Sequence, residues 1–130
     1  MLTRTNLHRE DYAYTRNLYS SDFLARYRSS DFDKWFNAAT FDWRYSTELA
    51  QYCSDHFDKW FNSEKYNWGV GSGEIARYCT KDFHKWFDPD KFEWYARSSL
   101  VKYCMFYIST WYDPARFEES YDQLLIESVI

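Results

Sequence analysis

The hydrophobic positions of this chain recur in four units of about 25 residues each. The units are marked by Trp35, Trp60, Trp86 and Trp111, which are separated by 25, 26 and 25 residues. Each of these tryptophans is followed by an aromatic residue and then by Asn or Asp. A fixed period of this length, sustained over four copies, is the sequence signature of a repeat protein.

Within each unit the apolar residues follow the period of an α-helix. In the second unit they stand at i, i+3, i+4, i+8, i+11 and i+12, occupied by Leu49, Tyr52, Cys53, Phe57, Trp60 and Phe61. This spacing places them on one face and predicts an amphipathic helix of roughly four turns. We expect such helices to begin near Ser46, Ser72 and Ser98, because a serine hydroxyl can accept hydrogen bonds from the free N–H groups of a first turn.

A second, shorter helix is predicted after the tryptophan. Asp88-Pro89 and Asp113-Pro114 occur there, and aspartate followed by proline is typical of an N-cap and the first helical position. In the third unit this helix would run through Phe92 and Trp94. Neither helix can bury its aromatic face alone, so neighbouring units must stack. The sequence therefore predicts an all-α fold, a right-handed solenoid of four helix–turn–short-helix repeats with terminal caps.

We expect a single domain, because 130 residues suffice for one core of its own. The predicted organisation is an N-terminal cap at 1–23, repeats at 24–48, 49–74, 75–99 and 100–119, and a C-terminal cap helix at 120–130. Ile126, Val129 and Ile130 remain as apolar surface on that last helix, so association of two copies through this end stays open.

All three glycines lie within residues 69–73, where the second unit carries one residue more than its neighbours. This composition predicts a plain loop. A phosphate cradle of the P-loop type would need a following Gly-Lys-Ser/Thr, and Glu74-Ile75-Ala76 follows instead.

The composition narrows the class of protein. Aromatic residues make up 24% of the chain and charged residues 28%, and the mean hydropathy is −0.75. These values argue against a disordered chain and against a membrane-spanning protein. The N-terminal residues lack the apolar region of a signal peptide, and the three cysteines are an odd number, so we expect a cytoplasmic location.

Catalytic and metal chemistry are not predicted. Cys53, Cys79 and Cys104 share one repeat position, and equivalent residues of stacked helices lie roughly 8 to 10 Å apart, too far for a disulfide or a shared zinc ion. We expect them to be small buried residues. His56 and His84 occupy different repeat positions, which argues for exposed side chains rather than a ligand set. The sequence predicts a protein without cofactor, metal or catalytic residues, and hence not an enzyme.

The remaining candidate for function is the repeated polar face of the long helices. Equivalent surface positions of a solenoid align into a ladder, which is the surface that repeat proteins use to bind partners. The predicted binding residues are Asp31, Lys34, Asp55, His56, Asp58, Lys59, Lys81, Asp82, His84 and Lys85. A protein partner is expected. Two alternatives stay open, namely single-stranded nucleic-acid binding by exposed aromatic platforms, disfavoured by the net charge of −4, and mimicry of nucleic acid by the acidic C-terminal face.

The unit from residue 49 to residue 68, LAQYCSDHFDKWFNSEKYNW, resembles tandem tryptophan-rich repeats of uncharacterised proteins of large viruses and phages. The resemblance covers most of residues 24–117. Arg28 replaces the cysteine of the first unit, and Thr110 and Glu119 replace a lysine and a tryptophan in the last. The resemblance implies a viral or phage interaction factor in the host cytoplasm, such as an inhibitor of a host protein or an adaptor, and it assigns no catalytic residues.

Overall fold

The computed structural model describes residues 14, 16, 18–117, 122–123 and 126–127. Every regular element in these residues is helical, which confirms the prediction of an all-α fold. The α-helices are α1 (Ser21–Tyr27), α2 (Phe32–Trp35), α3 (Ser46–Tyr52), α4 (Phe57–Trp60), α5 (Trp68–Tyr78), α6 (Phe83–Trp86), α7 (Arg97–Tyr103) and α8 (Ile108–Trp111). Short 3₁₀ turns lie at Ser29–Asp31, Trp43–Tyr45, Ser54–His56, Thr80–Asp82, Trp94–Ala96, Met105–Tyr107 and Pro114–Arg116.

The long helix predicted for each unit is two helices in the structure. In the second unit α3 ends at Tyr52, a 3₁₀ turn follows, and α4 begins at Phe57. Cys53 lies at the break with φ −122° and ψ 25°, outside the α-helical region. Its carbonyl accepts hydrogen bonds from the N–H of His56 at 2.9 Å and from Nε1 of Trp60 at 2.7 Å. The tryptophan therefore fixes the break, and the other three units carry the same indole-to-carbonyl bond.

The first helices of the units, α1, α3, α5 and α7, pack against one another in chain order. The indoles of Trp60, Trp86 and Trp111 are buried between the units. Cys53, Cys79 and Cys104 are buried and free, as predicted. Each thiol lies 3.4 to 3.8 Å from the carbonyl oxygen of an alanine in the preceding first helix. Burial raises the pKa of all three thiols to about 12, so the cysteines serve as packing residues.

The serines near the helix starts are not N-caps, contrary to the prediction. Ser46 and Ser72 are fully buried, and each hydroxyl donates to a carbonyl of the preceding turn. Each also accepts from the backbone N–H that precedes the next unit's first helix, Asn67 for Ser46 at 3.0 Å and Glu93 for Ser72 at 2.9 Å. These serines thus connect consecutive units. Ser98 is exposed and takes no part in such a contact.

The glycine-rich segment is helical, which corrects the prediction of a loop. It lies in α5, a single α-helix of 11 residues, whereas the preceding unit has a 3₁₀ turn and then the seven residues of α3. An α-helical turn takes about 3.6 residues and a 3₁₀ turn about 3.0, so the inserted residue widens the first turn. Gly71 is required there, because a Cβ would lie 2.5 Å from Oη of Tyr66. The Tyr66 hydroxyl donates to the Gly71 carbonyl at 2.7 Å.

The cap predicted at Asp113 is present, with only a 3₁₀ turn after it, whereas the short helix predicted to begin at Asp88 and run through Phe92 and Trp94 is absent. Asp113 accepts from the N–H of Ala115 at 3.1 Å and precedes the 3₁₀ turn Pro114–Arg116. Asp88 accepts in the same way from the N–H of Asp90 at 2.9 Å, and only a non-helical turn follows. Asn37 and Asn62 make the same contact in the first two units.

The two predicted end caps fall largely outside the described residues. Ile126 is fully buried, so it does not contribute to an apolar surface as expected, while Val129 and Ile130 lie beyond the described part of the chain. At the other end Tyr14 is buried, and its hydroxyl donates to Asp31 at 3.0 Å. Among the helices that the structure describes, none combines the length and apolar character needed to cross a membrane.

Candidate functional site

The polar ladder is a set of ion pairs between consecutive units. Nζ of Lys59 lies 2.8 Å from Oδ1 of Asp33, and one unit further Nζ of Lys85 lies 3.0 Å from Oδ1 of Asp58. The hydrogen bond from Lys59 lowers the pKa of Asp33, and the hydrogen bond to Asp58 raises the pKa of Lys85. Each lysine therefore reaches back to the unit before it.

A shallow groove of about 210 Å³ lies between the second and third units. Six of the ten predicted binding residues line it, namely Asp55, His56, Asp58, Lys59, Lys81 and Asp82. Nζ of Lys81 lies 4.0 Å from Oδ1 of Asp55 across this groove. Lys85 contacts Asp58 and, at 3.5 Å, Asp82. The structure thus brings most of the ladder together, with its acidic and basic groups paired.

The paired charges are unsuited to acid–base or metal chemistry. A general acid needs a carboxyl group whose pKa is raised by removal from water, whereas the Asp33 and Asp58 carboxylates are exposed beside lysines. In the part of the chain that the structure describes, no three His, Cys, Asp or Glu side chains converge as a metal site.

The two histidines of the ladder differ. His84 is exposed, as predicted, whereas His56 is half-buried. The His56 ring stacks on Phe32 with 4.6 Å between centroids and 5° between planes. Tyr107 occupies the same repeat position in the last unit and stacks on Phe83 at 4.5 Å and 2°. His56 therefore packs one unit on another, which corrects the expectation of an exposed side chain.

The ladder ends at the fourth unit, where its charges are replaced. The 3₁₀ turn Met105–Tyr107 stands where the preceding units have Ser54–His56 and Thr80–Asp82, and Thr110 stands where they have lysine. The Phe106 side chain is 90% exposed. We call Met105, Phe106 and Tyr107 the aromatic turn. This surface was not predicted from the sequence. The signal for it is that Met-Phe-Tyr occupies a position that is mostly polar in the other units.

A second surface follows the ends of the first helices. Its tyrosines, which we call the tyrosine row, are Tyr27, Tyr52, Tyr78 and Tyr103. The guanidinium of Arg26 lies 5.9 Å from the Tyr27 ring and 5.2 Å from the Tyr52 ring. That of Arg77 lies 4.9 Å from Tyr78 and 5.7 Å from Tyr103. Tyr27 is 59% exposed, so these tyrosines are only partly core residues, contrary to their place in the apolar pattern.

Comparison of the chain with known protein families, with characterised proteins and with solved structures gives no match.

Proposed function

We propose that the chain is a non-enzymatic scaffold that binds another protein, and that its four units stack as a right-handed solenoid. The support for stacking is that three kinds of contact recur one unit apart. They are the serine hydroxyl to the next backbone N–H, the lysine to the preceding aspartate, and the cysteine thiol to the preceding alanine carbonyl. Contacts between nearest neighbours are what hold a repeat protein together.

The aromatic turn is the observation that carries the binding function. Phe106 is 90% exposed in a protein whose other phenylalanines are buried or half-buried where described. Large aromatic side chains dominate the binding energy of protein interfaces when a partner buries them. Phe106 lies beside Met105 and 5.2 Å from the Tyr107 ring. The partner that fits this turn is a protein with an apolar pocket that accepts one aromatic ring.

The experiment is a comparison of two truncations at exposed apolar positions. Partners are captured on the immobilised wild-type protein and on its Phe106→Ala and Val70→Ala variants. The affinity of each of the three proteins for the purified partner is then measured by calorimetry. Val70 is 55% exposed on α5 and serves as the matched control. We expect Phe106→Ala to weaken binding about 30-fold, the effect of an interface anchor worth about 2 kcal/mol, and Val70→Ala to change little. Equal affinity of wild type and Phe106→Ala would refute this surface.

The resemblance of the repeats supports a narrower form of the proposal. In that form the chain is an interaction factor of a virus or phage that acts in the host cytoplasm as an inhibitor or adaptor of a host protein. Identification of the captured partner tests it directly.

A second candidate function is binding of single-stranded nucleic acid along the tyrosine row. The observation that favours it is the alternation of rings and cations, since bases stack on aromatic side chains while cations hold the phosphates. An oligonucleotide titration at several salt concentrations tests it. Direct binding would weaken steeply with salt, and absence of binding at low salt would leave the protein-binding function alone.

A further inference from the structure

The tyrosine row carries a cation in every unit except the second. The position before each tyrosine is Arg26 in the first unit, Arg77 in the third and Lys102 in the fourth, whereas the second unit has Gln51. The row of rings continues through this unit with Tyr52. The charge pattern of the row is therefore interrupted between the second and third units, and only there.

Arg26 shows how a cation is held in this row. Its guanidinium lies 5.9 Å from the Tyr27 ring and 5.2 Å from the Tyr52 ring. Its Nε lies 3.6 Å from Oε2 of Glu48. Two aromatic rings from consecutive units and one carboxylate thus surround a single guanidinium, a combination that attracts cations through both the ring faces and the negative charge.

The same groups recur one unit further, with a neutral glutamine in place of the arginine. By the repeat register, Gln51 stands at the position of Arg26, and Glu74 stands at the position of Glu48. Tyr52 and Tyr78 are the equivalents of the two rings. All four side chains are half-buried, so their remaining surface is open to solvent. Within the described residues, Glu74 has no ion pair and the Gln51 amide has no hydrogen bond. We call Gln51, Tyr52, Glu74 and Tyr78 the Gln51 slot.

We propose that the Gln51 slot binds an arginine side chain of the protein partner, which takes the position that Arg26 holds one unit earlier. A planar guanidinium can stack on both rings and pair with the carboxylate at once, which an ammonium group does less well. Arg26 and Arg77 each contact one of the two rings, at 5.2 Å for Tyr52 and 4.9 Å for Tyr78, but the neutral Gln51 supplies no second cation to them and leaves Glu74 without an ion pair in the described part of the chain. A tyrosine of this row can contact two cations, since the Tyr103 ring lies 5.7 Å from Arg77 and 5.3 Å from Lys102. This inference rests on the proposed protein-binding function and names the chemistry of the partner at one contact.

The test uses the intact protein and a short probe, acetyl-Gly-Arg-Gly-amide, with the citrulline peptide as its uncharged isostere. Ring signals of Tyr52 and Tyr78 are followed by NMR during titration. We expect saturable shifts of both rings with the arginine peptide, with a dissociation constant on the order of millimolar for one exposed contact. The citrulline peptide should produce none.

Variants of the slot sharpen the test. Gln51→Arg supplies the cation from within the chain, and we expect it to weaken peptide binding at least about tenfold. Thr110→Arg adds the same charge on α8, outside the tyrosine row, and should leave binding within about twofold, since the charge is distant and screened. Glu74→Gln removes the carboxylate and should weaken binding several-fold without filling the slot.

Three results would overturn the inference: no saturable shift with the arginine peptide, equal binding of the citrulline peptide, or unchanged binding in Gln51→Arg. If Gln51→Arg fails to fold by circular dichroism, Glu74→Gln and the citrulline comparison still decide the question. A partner whose binding depends on Phe106 but whose affinity is unchanged by Gln51→Arg would refute the slot and leave the proposed function standing.

Discussion

Replacement of Ser72 by alanine should weaken the connection between two units. The Ser72 hydroxyl is fully buried, donates to the carbonyl of Trp68 at 2.7 Å and accepts from the N–H of Glu93 at 2.9 Å. In Ser72→Ala the Trp68 carbonyl remains within the hydrogen-bonded backbone of α5, whereas the Glu93 N–H loses its acceptor.

The magnitude follows from that unpaired donor. Glu93 is exposed and its contact to Ser72 is part-buried, so we expect the net loss of one ordinary hydrogen bond, about 0.5–1.5 kcal/mol. Removal of one oxygen atom adds little cavity volume. Domains of this size unfold with a total free energy of about 5–15 kcal/mol, so one hydrogen bond is a measurable share. For a chain of this length each kcal/mol corresponds to a fall of about 3–6 °C in melting temperature.

The assay is urea unfolding followed by circular dichroism and tryptophan fluorescence. Ser46→Ala removes the equivalent contact to Asn67 and should lose a similar free energy. Ser98→Ala, at an exposed position of α7, should stay within about 0.5 kcal/mol of wild type. If Ser72→Ala also stays within about 0.5 kcal/mol with an unchanged slope against urea, the serine does not connect the units as argued.

Three further predictions concern packing, thiol chemistry and the ion pairs. Gly71→Ala should destabilise by about 1–3 kcal/mol in urea unfolding, because its Cβ would lie 2.5 Å from Oη of Tyr66; Gly69→Ala, with only a 3.4 Å approach, should be neutral or stabilising. Because burial raises the pKa of the three thiols to about 12, Ellman's reagent should modify none in the native protein and all three after unfolding. Lys59→Met should raise the pKa of Asp33 towards its ordinary value by NMR titration, since the Lys59 hydrogen bond lowers it. The stability from this pair is present above the ordinary carboxyl pKa and lost as pH falls through the lowered one, so the variant should show a weaker pH dependence in acid.

The sequence predicts the helical class and the core because both depend on periodicity. Trp60, Trp86 and Cys53 lie buried where the apolar pattern places them. The break at Cys53 is not predictable in this way, since a helix, a 3₁₀ turn and a second helix preserve nearly the same apolar spacing. The break depends on the bond from the Trp60 indole to the Cys53 carbonyl, which joins residues seven positions apart and exists only once the side chains pack.

The glycine-rich segment shows a different limit of sequence reasoning. Glycine is unfavourable inside a helix by about 1 kcal/mol relative to alanine, and three glycines in five residues therefore predict a loop. Tertiary packing outweighs this preference, because Ser72 and Ile75 of the same helix are fully buried and the Tyr66 ring occupies the space beside Gly71. The contact that makes glycine necessary comes from outside the segment.

The candidate site was predicted in part. The repeat register identifies which charges share a surface, and six of them do line one groove. The register does not show that each lysine reaches the aspartate of the preceding unit, because that depends on the offset between stacked helices. Exposed pairs of this kind contribute little net stability, because both charges remain hydrated and are screened by salt. The ladder therefore serves mainly to align the units. Its paired charges leave fewer groups available to bind a partner.

Positions that differ between the units are the ones available for specific recognition. The tryptophan and serine side chains make contacts between units, so a partner could bind them only if the core were disrupted. Gln51 and Phe106 instead depart from the repeat at exposed or half-buried positions. Phe106 follows Tyr103, the last ring of the tyrosine row, by three residues. A protein partner that contacts the Gln51 slot with an arginine and the aromatic turn with an apolar pocket would use both of these departures. In that case the effects of Gln51→Arg and Phe106→Ala on affinity should add, because the two contacts share no side chain.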